Sequence, residues 1–510
     1  MIALLNVIRK GVSKLNDMLN KPLSQSADNL KWLELEINDW LSSKERKDQL
    51  DGERYYKGDQ DILKHKRMVI GENGDLVEVT NLPNKKIIDN QYKRLVKQKV
   101  NYIVGKPFTV DTENEAYKKK IETYFNKKFM KILKMVTTDA NNGGISYLYP
   151  YYENNELKFK RLKSHEIKVY WKDMDHTEID FFIHWYEDTV RLPNGHKEMI
   201  EHVEVYTTDG VKYYIRKGNT LLYDDKKKQS AYIVQKELDA DDQVLSESAL
   251  NFEHIPLIPF KISDVEQTLL KRVKSLQDGI NTIVSTFTNN MLEDTRNTIL
   301  ILVNYDGQKL GEFRQNLAEY GAVKVKGDGD LRALQVEVNA ANYQAILEIF
   351  KKAIIENGGG VDVKELNSGT PNQMNIQTAY NDIELDTNDT ETEFQSAFEE
   401  LMWFINFDLN YRGEGNFFDE CVDIIFNRDM LQDETSIIDN IMKLRGLISD
   451  EDCIKQLPFG DATKLIENMK KQKAEEKAEL DEYSNTFSNN PIQKAQNKPQ
   501  IGANIQGDKQ

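Results

Sequence analysis

Several residues in this 510-residue chain have the types that chemistry needs, and each stands in the wrong setting for it. The run Gly358, Gly359 and Gly360 in "NGGGVDVKELNSG" has the composition of a phosphate cradle. A nucleotide loop follows a strand and closes on Gly-Lys-Ser/Thr, whereas this run follows a helical stretch and lacks that ending. "VGKP" at 104–107 holds the Gly-Lys pair but puts proline where the hydroxyl belongs, so an intrinsic ATPase motor is disfavoured. His184, His196 and His202 fall in one hairpin-like region, at spacings that match no helical metal motif, and read as strand histidines. Carboxylates abound without a His-Glu-x-x-His or Gly-x-Ser-x-Gly frame to organise them. Cys421 and Cys453 form no Cys-x-x-Cys pair, so a zinc site or disulfide framework is not expected, and a reducing cytoplasm is the expected place of synthesis. The expectation is therefore a chain with no catalytic residues, no metal and no cofactor.

Charge is the more informative property. Residues 1–140 hold 27 Lys/Arg against 20 Asp/Glu, while the rest hold 41 against 64, so the net of −16 hides a basic front and an acidic remainder. A tight nucleic-acid binder would carry net positive charge, because phosphate contacts supply most of such affinity. The stretch 85–134 has fourteen basic against five acidic residues and reads as a solvated face beside an acidic neighbouring subunit, with a nucleic-acid patch as the other reading. Between 357 and 411 there are eleven Asp/Glu and one cation, Lys364. Within it "DTNDTETE" (386–393) is polar on every side, which predicts a helix that borders water there and is not docked into a core.

These residues must be held by elements that the pattern also predicts. Ile2, Leu5, Ile8, Val12, Leu15 and Leu19 suggest an amphipathic docking helix at the start, and no window is apolar enough to span a membrane. Helices are predicted over 26–57, 87–104 and 114–140, then a period-two antiparallel meander over 144–262 with "PNG" and "DG" turns. A rod of roughly 48 Å over 264–295 carries one narrow apolar stripe from Val265 to Met291. A small insert of one strand, a short helix and two further strands, a helix at 340–356, the glycine run, a long helix at 374–410 and more helix to 475 complete the ordered part. The Pro/Asn/Gln-rich end is predicted to be disordered. The fold class is α+β and mostly helical.

In this order the parts resemble the portal proteins of tailed bacteriophages, of the siphophage type from Gram-positive hosts. The resemblance is carried by "ERYYKGDQDIL" (53–63), "KIIDNQYKRLVKQKVNYIVGKP" (86–107), "EYGAVKVKGDGDLRALQVEV" (319–338), "ENGGGVD" (356–362), "AFEELMWFI" (397–405) and "VDIIFNRDM…LRGLISDEDCIKQLP" (422–458). It implies a homo-oligomeric, dodecameric ring at one capsid vertex, around a channel for double-stranded DNA in packaging and ejection. It also implies docking of the terminase large subunit and the head–tail adaptor ring, and contacts with major capsid and scaffold proteins. It further implies no membrane partner and a place in the virion after synthesis in the bacterial host cytoplasm. The divisions implied are an N-terminal helix (1–27), a wing with the meander (28–263) and stem helices (264–295 and 340–357) flanking a small α/β clip (296–339). A tunnel loop (358–373), a long wing or channel helix (374–410), a crown (411–475) and a disordered tail (476–510) follow.

The resemblance places Gly358, Gly359, Gly360, Lys364, Asn367, Ser368 and Gly369 near the DNA, where glycines would let a loop shift with the groove. It makes Asp386, Asp389 and Glu391 an acidic channel lining that repels the duplex at short range. Lys309, Glu312, Arg314 and Lys324 would mark the docking end of the clip. Two other readings stay open on the residues alone, a carboxylate-dependent nuclease and another virion ring such as a head–tail adaptor.

Overall fold

The computed structural model describes residues 23–70, 74–80, 82–193, 195–224, 227, 230–238, 244–294, 298–303, 330–335, 340–362, 373–428, 434–444, 447–457 and 462–488. The chain divides into two compact units, Met1–Glu365 with Ala379–Met430, and Leu366–Thr378 with Leu431–Gln510. The expected helix over 1–27 lies largely outside the described residues, apart from a short 3-10 turn at Leu23–Asp28.

In the first unit the helices begin with α1 (Leu30–Ser42) and α2 (Lys44–Lys57), where the sequence suggested one helix. Ser43 separates them: its backbone is extended and its hydroxyl accepts from the Arg46 amide, capping α2. Next come α3 (Gln91–Val104), α4 (Glu115–Tyr124) and α5 (Lys127–Gly143). The break between the last two has the same cause, since Asn126 accepts from the Lys128 and Phe129 amides. Hydrophobic periodicity runs straight through the Asn126 junction, and at Ser43 it only lapses, with no apolar residue between Leu41 and Leu50, so it marks neither break.

Among the described residues the period-two region forms three antiparallel sheets, the smallest a hairpin of Ile233–Leu238 with Val244–Leu250. Ile145–Glu153 is the centre of a three-stranded sheet between Glu156–Leu162 and Ile258–Lys261. Asn154 and Asn155, at φ 56° and 60°, make its two-residue hairpin turn, the left-handed pair that such turns demand. Five strands from Ile167 to Tyr223 follow in sequence order as a meander. Alternation sends Phe181, Ile183 and Trp185 to one face, against Leu33, Ile37 and Trp40 of α1, and Phe182 and Tyr206 to the other, against Ile145 and Tyr147.

Two helices then pair, α6 (Leu269–Asp294) and α7 (Ala340–Asn357). Between them Thr298–Val303 pairs antiparallel with Asp330–Gln335. The helix pair approaches closely at Gly279, where a Cβ would fall 2.5 Å from the Phe350 ring. The rod starts at Leu269 and not at 264, because Glu266 stands at φ 52°, outside helical geometry. Beside its apolar stripe α6 carries a second one, Gln277, Asn281, Ser285 and Asn289, all buried. These accept from the backbone amides of Tyr92 (3.0 Å), Asp89 (3.0 Å), Ile87 (2.9 Å) and Lys85 (2.6 Å). Four helical residues rise about 6 Å and two extended residues about 6.6 Å, so every fourth side chain of the helix meets every second amide of 85–89.

Helix α8 (Gln373–Tyr411) crosses the unit and buries Ile383, Phe394, Phe398, Leu401 and Ile405. Phe398 meets Phe108 and Phe426 edge-on at 5.1 and 5.7 Å, and the strand Asp423–Ile425 returns to pair with Thr109–Asp111. The second unit holds α9 (Glu434–Leu444), α10 (Asp450–Lys455) and α11 (Ala462–Ser488). Lys473 reaches Asp450 at 2.5 Å and Lys470 reaches Glu451 at 3.1 Å. Helix α11 corrects the expectation of a disordered tail from 476: helix continues to Ser488 through a run of Lys, Glu and Ala, all good helix formers.

Candidate functional site

The glycine run is the end of α7. The Gly360 amide donates to the Ile355 carbonyl (2.8 Å), the Gly359 amide to Glu356 (3.3 Å), and Gly359 sits at φ 61°. That is a Schellman cap, with glycine at the one position that must turn left-handed. The neighbouring glycines answer a different need. A Cβ on Gly358 would stand 2.2 Å from Leu95 Cδ2, and one on Gly360 would stand 2.6 Å from Leu95 Cδ1. Gly358, Gly360 and Val361 are buried against α3. The freedom to shift expected of Gly358, Gly359 and Gly360 is therefore not their use: the cap is fixed and tightly packed.

A charge clamp holds this cap to α8. Lys99 of α3, only 6% exposed, donates to the Gly358 carbonyl at 3.3 Å and pairs with Asp386. Arg272 of α6 reaches the other Asp386 oxygen at 2.5 Å, and Gln98 Nε2 donates to the Val361 carbonyl at 3.0 Å. A cation at the C-terminus of α7 also meets the negative end of its dipole. Burial alone would raise the Asp386 carboxyl, but Lys99 and then Arg272 outweigh it and hold Asp386 below the usual carboxylate range.

A second clamp follows one turn on. Arg428 pairs with Glu384 and with Glu391, and donates to Asn388 Oδ1 at 2.6 Å, while the Tyr102 hydroxyl donates to Glu384. The expectation that 386–393 has no docked face is overturned. Thr387 and Thr390 are 3% and 6% exposed and continue a stripe from Ile383 to Phe394. The Thr390 hydroxyl donates to the Ile262 carbonyl at 2.9 Å, so two threonines do the packing that apolar residues were expected to do. Of the three acidic candidates, Asp386 and Glu391 are ion-paired within the chain and Asp389 is exposed.

Lys364, Asn367, Ser368 and Gly369 lie outside the described residues, as do Lys309, Glu312, Arg314 and Lys324. What the structure does fix is the pair of anchors on either side of 363–372, the capped end of α7 and the clamped face of α8. His184 is buried and bonded to Glu204 at 3.2 Å, and no cluster of metal-ligating side chains occurs among the described residues. Sequence reasoning missed Lys99, Arg272, Arg428 and the polar ladder of α6. Only the ladder had a local signal, its spacing of four; the three cations answer carboxylates up to 287 positions away.

The family profile described as "Phage portal protein, SPP1 Gp6-like" matches residues 37–479. The chain is 24% identical over 445 residues to the portal protein of Bacillus phage SPP1, covering 86% of this chain and 85% of that one. It is 24% identical over 458 residues to the portal protein of Clostridium phage phiCD119, covering 86% and 96%. Among solved structures, a chain from "Neck of empty GTA particle computed with C6 symmetry" aligns at a TM-score of 0.38 and 11% identity, covering 72% of this chain and 89% of that one. A chain from "Neck of native GTA particle computed with C12 symmetry" aligns at 0.37 and 10%, with the same coverage.

Proposed function

The chain belongs to the SPP1 Gp6-like family of phage portal proteins, and we propose that its copies close into a dodecameric ring around a channel for double-stranded DNA at one capsid vertex. The observation that carries this reading is the family match over residues 37–479, nearly all of the chain's described structure. The geometry supports a specific division of labour within it. The segment 363–372, with Lys364, Asn367, Ser368 and Gly369, would be the part near the DNA. The capped glycines and the Lys99–Asp386–Arg272 clamp would be the rigid frame that presents it.

A conduit must not grip its cargo, since each neutralised phosphate is a contact to be broken as the duplex slides. Asp389, exposed on α8, is the acidic candidate whose carboxylate can act on DNA, while Asp386 and Glu391 hold the helix in place. The insert at 304–329, with Lys309, Glu312, Arg314 and Lys324, would dock the terminase large subunit and then the adaptor ring. The ATP-driven work would be the terminase's. Capsid and scaffold proteins would surround the ring in the virion, after synthesis in the host cytoplasm.

Native mass spectrometry of the full chain, with top views by electron microscopy, tests the ring. A single closed assembly with a central opening is expected, and a chain that stays monomeric at high concentration would end the proposal.

A further inference from the structure

One charged surface of the first unit is not absorbed by this reading. A cleft of about 860 Å³ lies between the 392–403 stretch of α8, the 172–179 loop and strand start, and the segment 253–264. Asp175, Glu253, Asp264, Glu393 and Glu399 line it, and none has a cation within ion-pair distance among the described residues. The cations present are already engaged: Lys172 reaches Glu178 at 3.4 Å, and the buried Lys261 reaches Glu266 at 3.0 Å. Burial, and then Asp264 and Glu266, hold the Glu393 carboxyl above its usual range against the pull of Lys261. Ile255, Leu257 and Trp403 add apolar surface to the same walls.

The complementary feature is on α5. Lys127, Lys128, Lys131 and Lys134 are exposed, and none has a carboxylate within ion-pair distance among the described residues. The one acid of this helix, Asp139, lies near its other end and pairs with Arg161 at 2.9 Å. Lys127, Lys131 and Lys134 share one helical face, and their span of seven residues is about 10.5 Å. Glu393 and Glu399 on α8 are six residues apart, about 9 Å, a comparable length.

We propose that the lysine face of α5 on one copy docks into the carboxylate cleft of the next copy around the ring. The inference rests on the ring reading and gives it a contact. A ring made from one chain by rotation joins two different surfaces of that chain, which must therefore complement each other. Here one surface carries carboxylates without cations and the other carries ammonium groups without anions. The lysine stems would cover the apolar wall while their heads meet the acids. Complementary charge of this kind fixes register and rejects wrong partners more than it adds raw affinity.

Two exposed pairs allow a test that does not depend on buried groups. Lys131→Glu/Lys134→Glu makes α5 acidic, and Glu253→Lys/Glu399→Lys makes the cleft basic. Each variant alone should require roughly tenfold more protein for ring closure than the parent, read by native mass spectrometry at low salt. Mixed one to one, they should form rings of alternating copies at the parent's concentration, because each reversed surface then meets its opposite. Recovery on mixing also excludes misfolding as the cause of the single defects. Unimpaired closure by both single variants, or no recovery on mixing, overturns the contact while parent rings keep the ring reading. Unchanged closure with loss of DNA retention in the lysine variant overturns it as well, and assigns the stripe to nucleic acid. A parent chain that never forms rings removes both readings.

Discussion

Helix α8 is acidic along most of its length, yet its two halves use that charge differently. Up to Glu391 the carboxylates of Glu384, Asp386 and Glu391 are met by Arg428, Lys99 and Arg272 of the same chain. From Glu393 onward, Glu393 and Glu399 have no such partner among the described residues. Glu384 to Glu391 form an anchor and the face of Glu393 and Glu399 an open surface, although further along Glu400 meets His254 and the buried Asp408 meets Arg412. An acidic count along a sequence cannot separate the two, because what distinguishes them is whether the fold delivers a cation from elsewhere in the chain.

If this contrast holds, substitutions in the two halves should fail in different ways. The largest effect belongs to Asp386→Leu, which strands the buried Lys99 ammonium without its counter-charge. Breaking one side of a buried pair typically costs about 3–5 kcal/mol, read as a lowered unfolding midpoint of the full chain in urea. Asp386→Asn adds a pH signature. The native Asp386 carboxyl is depressed, so its contribution is present above the ordinary value of about 3.8 and disappears as pH falls through the depressed native value. The stability gap between parent and variant should therefore close in acid. A gap that stays constant to low pH would mean that the pair does not hold α8.

The next effect is at the cap. Gly358→Ala pushes a methyl into Leu95, and overpacking of this kind costs about 1–3 kcal/mol. Gly359→Ala forces a side chain into the left-handed region, for about 1–2 kcal/mol. Shrinking the neighbour should rescue the first and not the second: Leu95→Ala combined with Gly358→Ala should lose less than the two changes summed. Strict additivity would show that Gly358 and Leu95 do not share the space assigned to them. By contrast, Glu253→Lys/Glu399→Lys in the open half should leave stability within about 0.5 kcal/mol, since both side chains are exposed. Asp389→Lys should be equally silent in unfolding and should slow DNA passage.

Those expectations also mark what the sequence could reveal. Period-two alternation identified the meander, and the i, i+3, i+4 stripe identified α6, because both depend only on which face of an element is buried. The splits at Ser43 and Asn126 are hidden, since a cap is one side chain turning back on the backbone and sets no apolar period of its own. "DTNDTETE" conceals its docked face because threonine is polar by type, although a threonine whose hydroxyl finds a carbonyl, as Thr390 does, packs through its methyl. By composition alone the glycine run suggests a pliable hinge; its reason is a left-handed cap at Gly359 and close contact at Gly358 and Gly360, and the contact depends on Leu95, far away in sequence. The residues that make the frame were the least legible of all. Lys99, Arg272 and Arg428 are ordinary in their local windows and acquire their roles only when α3, α6 and the 423–428 segment are brought against α8.

The smallest effect sits in the second half of α8, at a carboxylate that meets a titratable cation. In the open cleft Glu400 does have a partner, His254, whose Nδ1 lies 2.8 Å from its carboxylate and whose ring stacks on Trp403 at 4.0 Å. The bond to Glu400 raises His254 above its ordinary value of about 6.5, outweighing burial. A group whose native pKa is raised stabilises fully below its unfolded value and loses that contribution as pH climbs through the raised one. Replacing His254 with Gln keeps a donor and removes the titration. The variant should thus be slightly less stable than the parent in mild acid, by under about 1 kcal/mol because both partners are partly exposed. The two should converge as pH rises past neutrality. A difference that is the same at both ends of this range would assign His254 to its stack on Trp403, and the cleft would then be as devoid of working ion pairs at Glu400 as it is at Glu399.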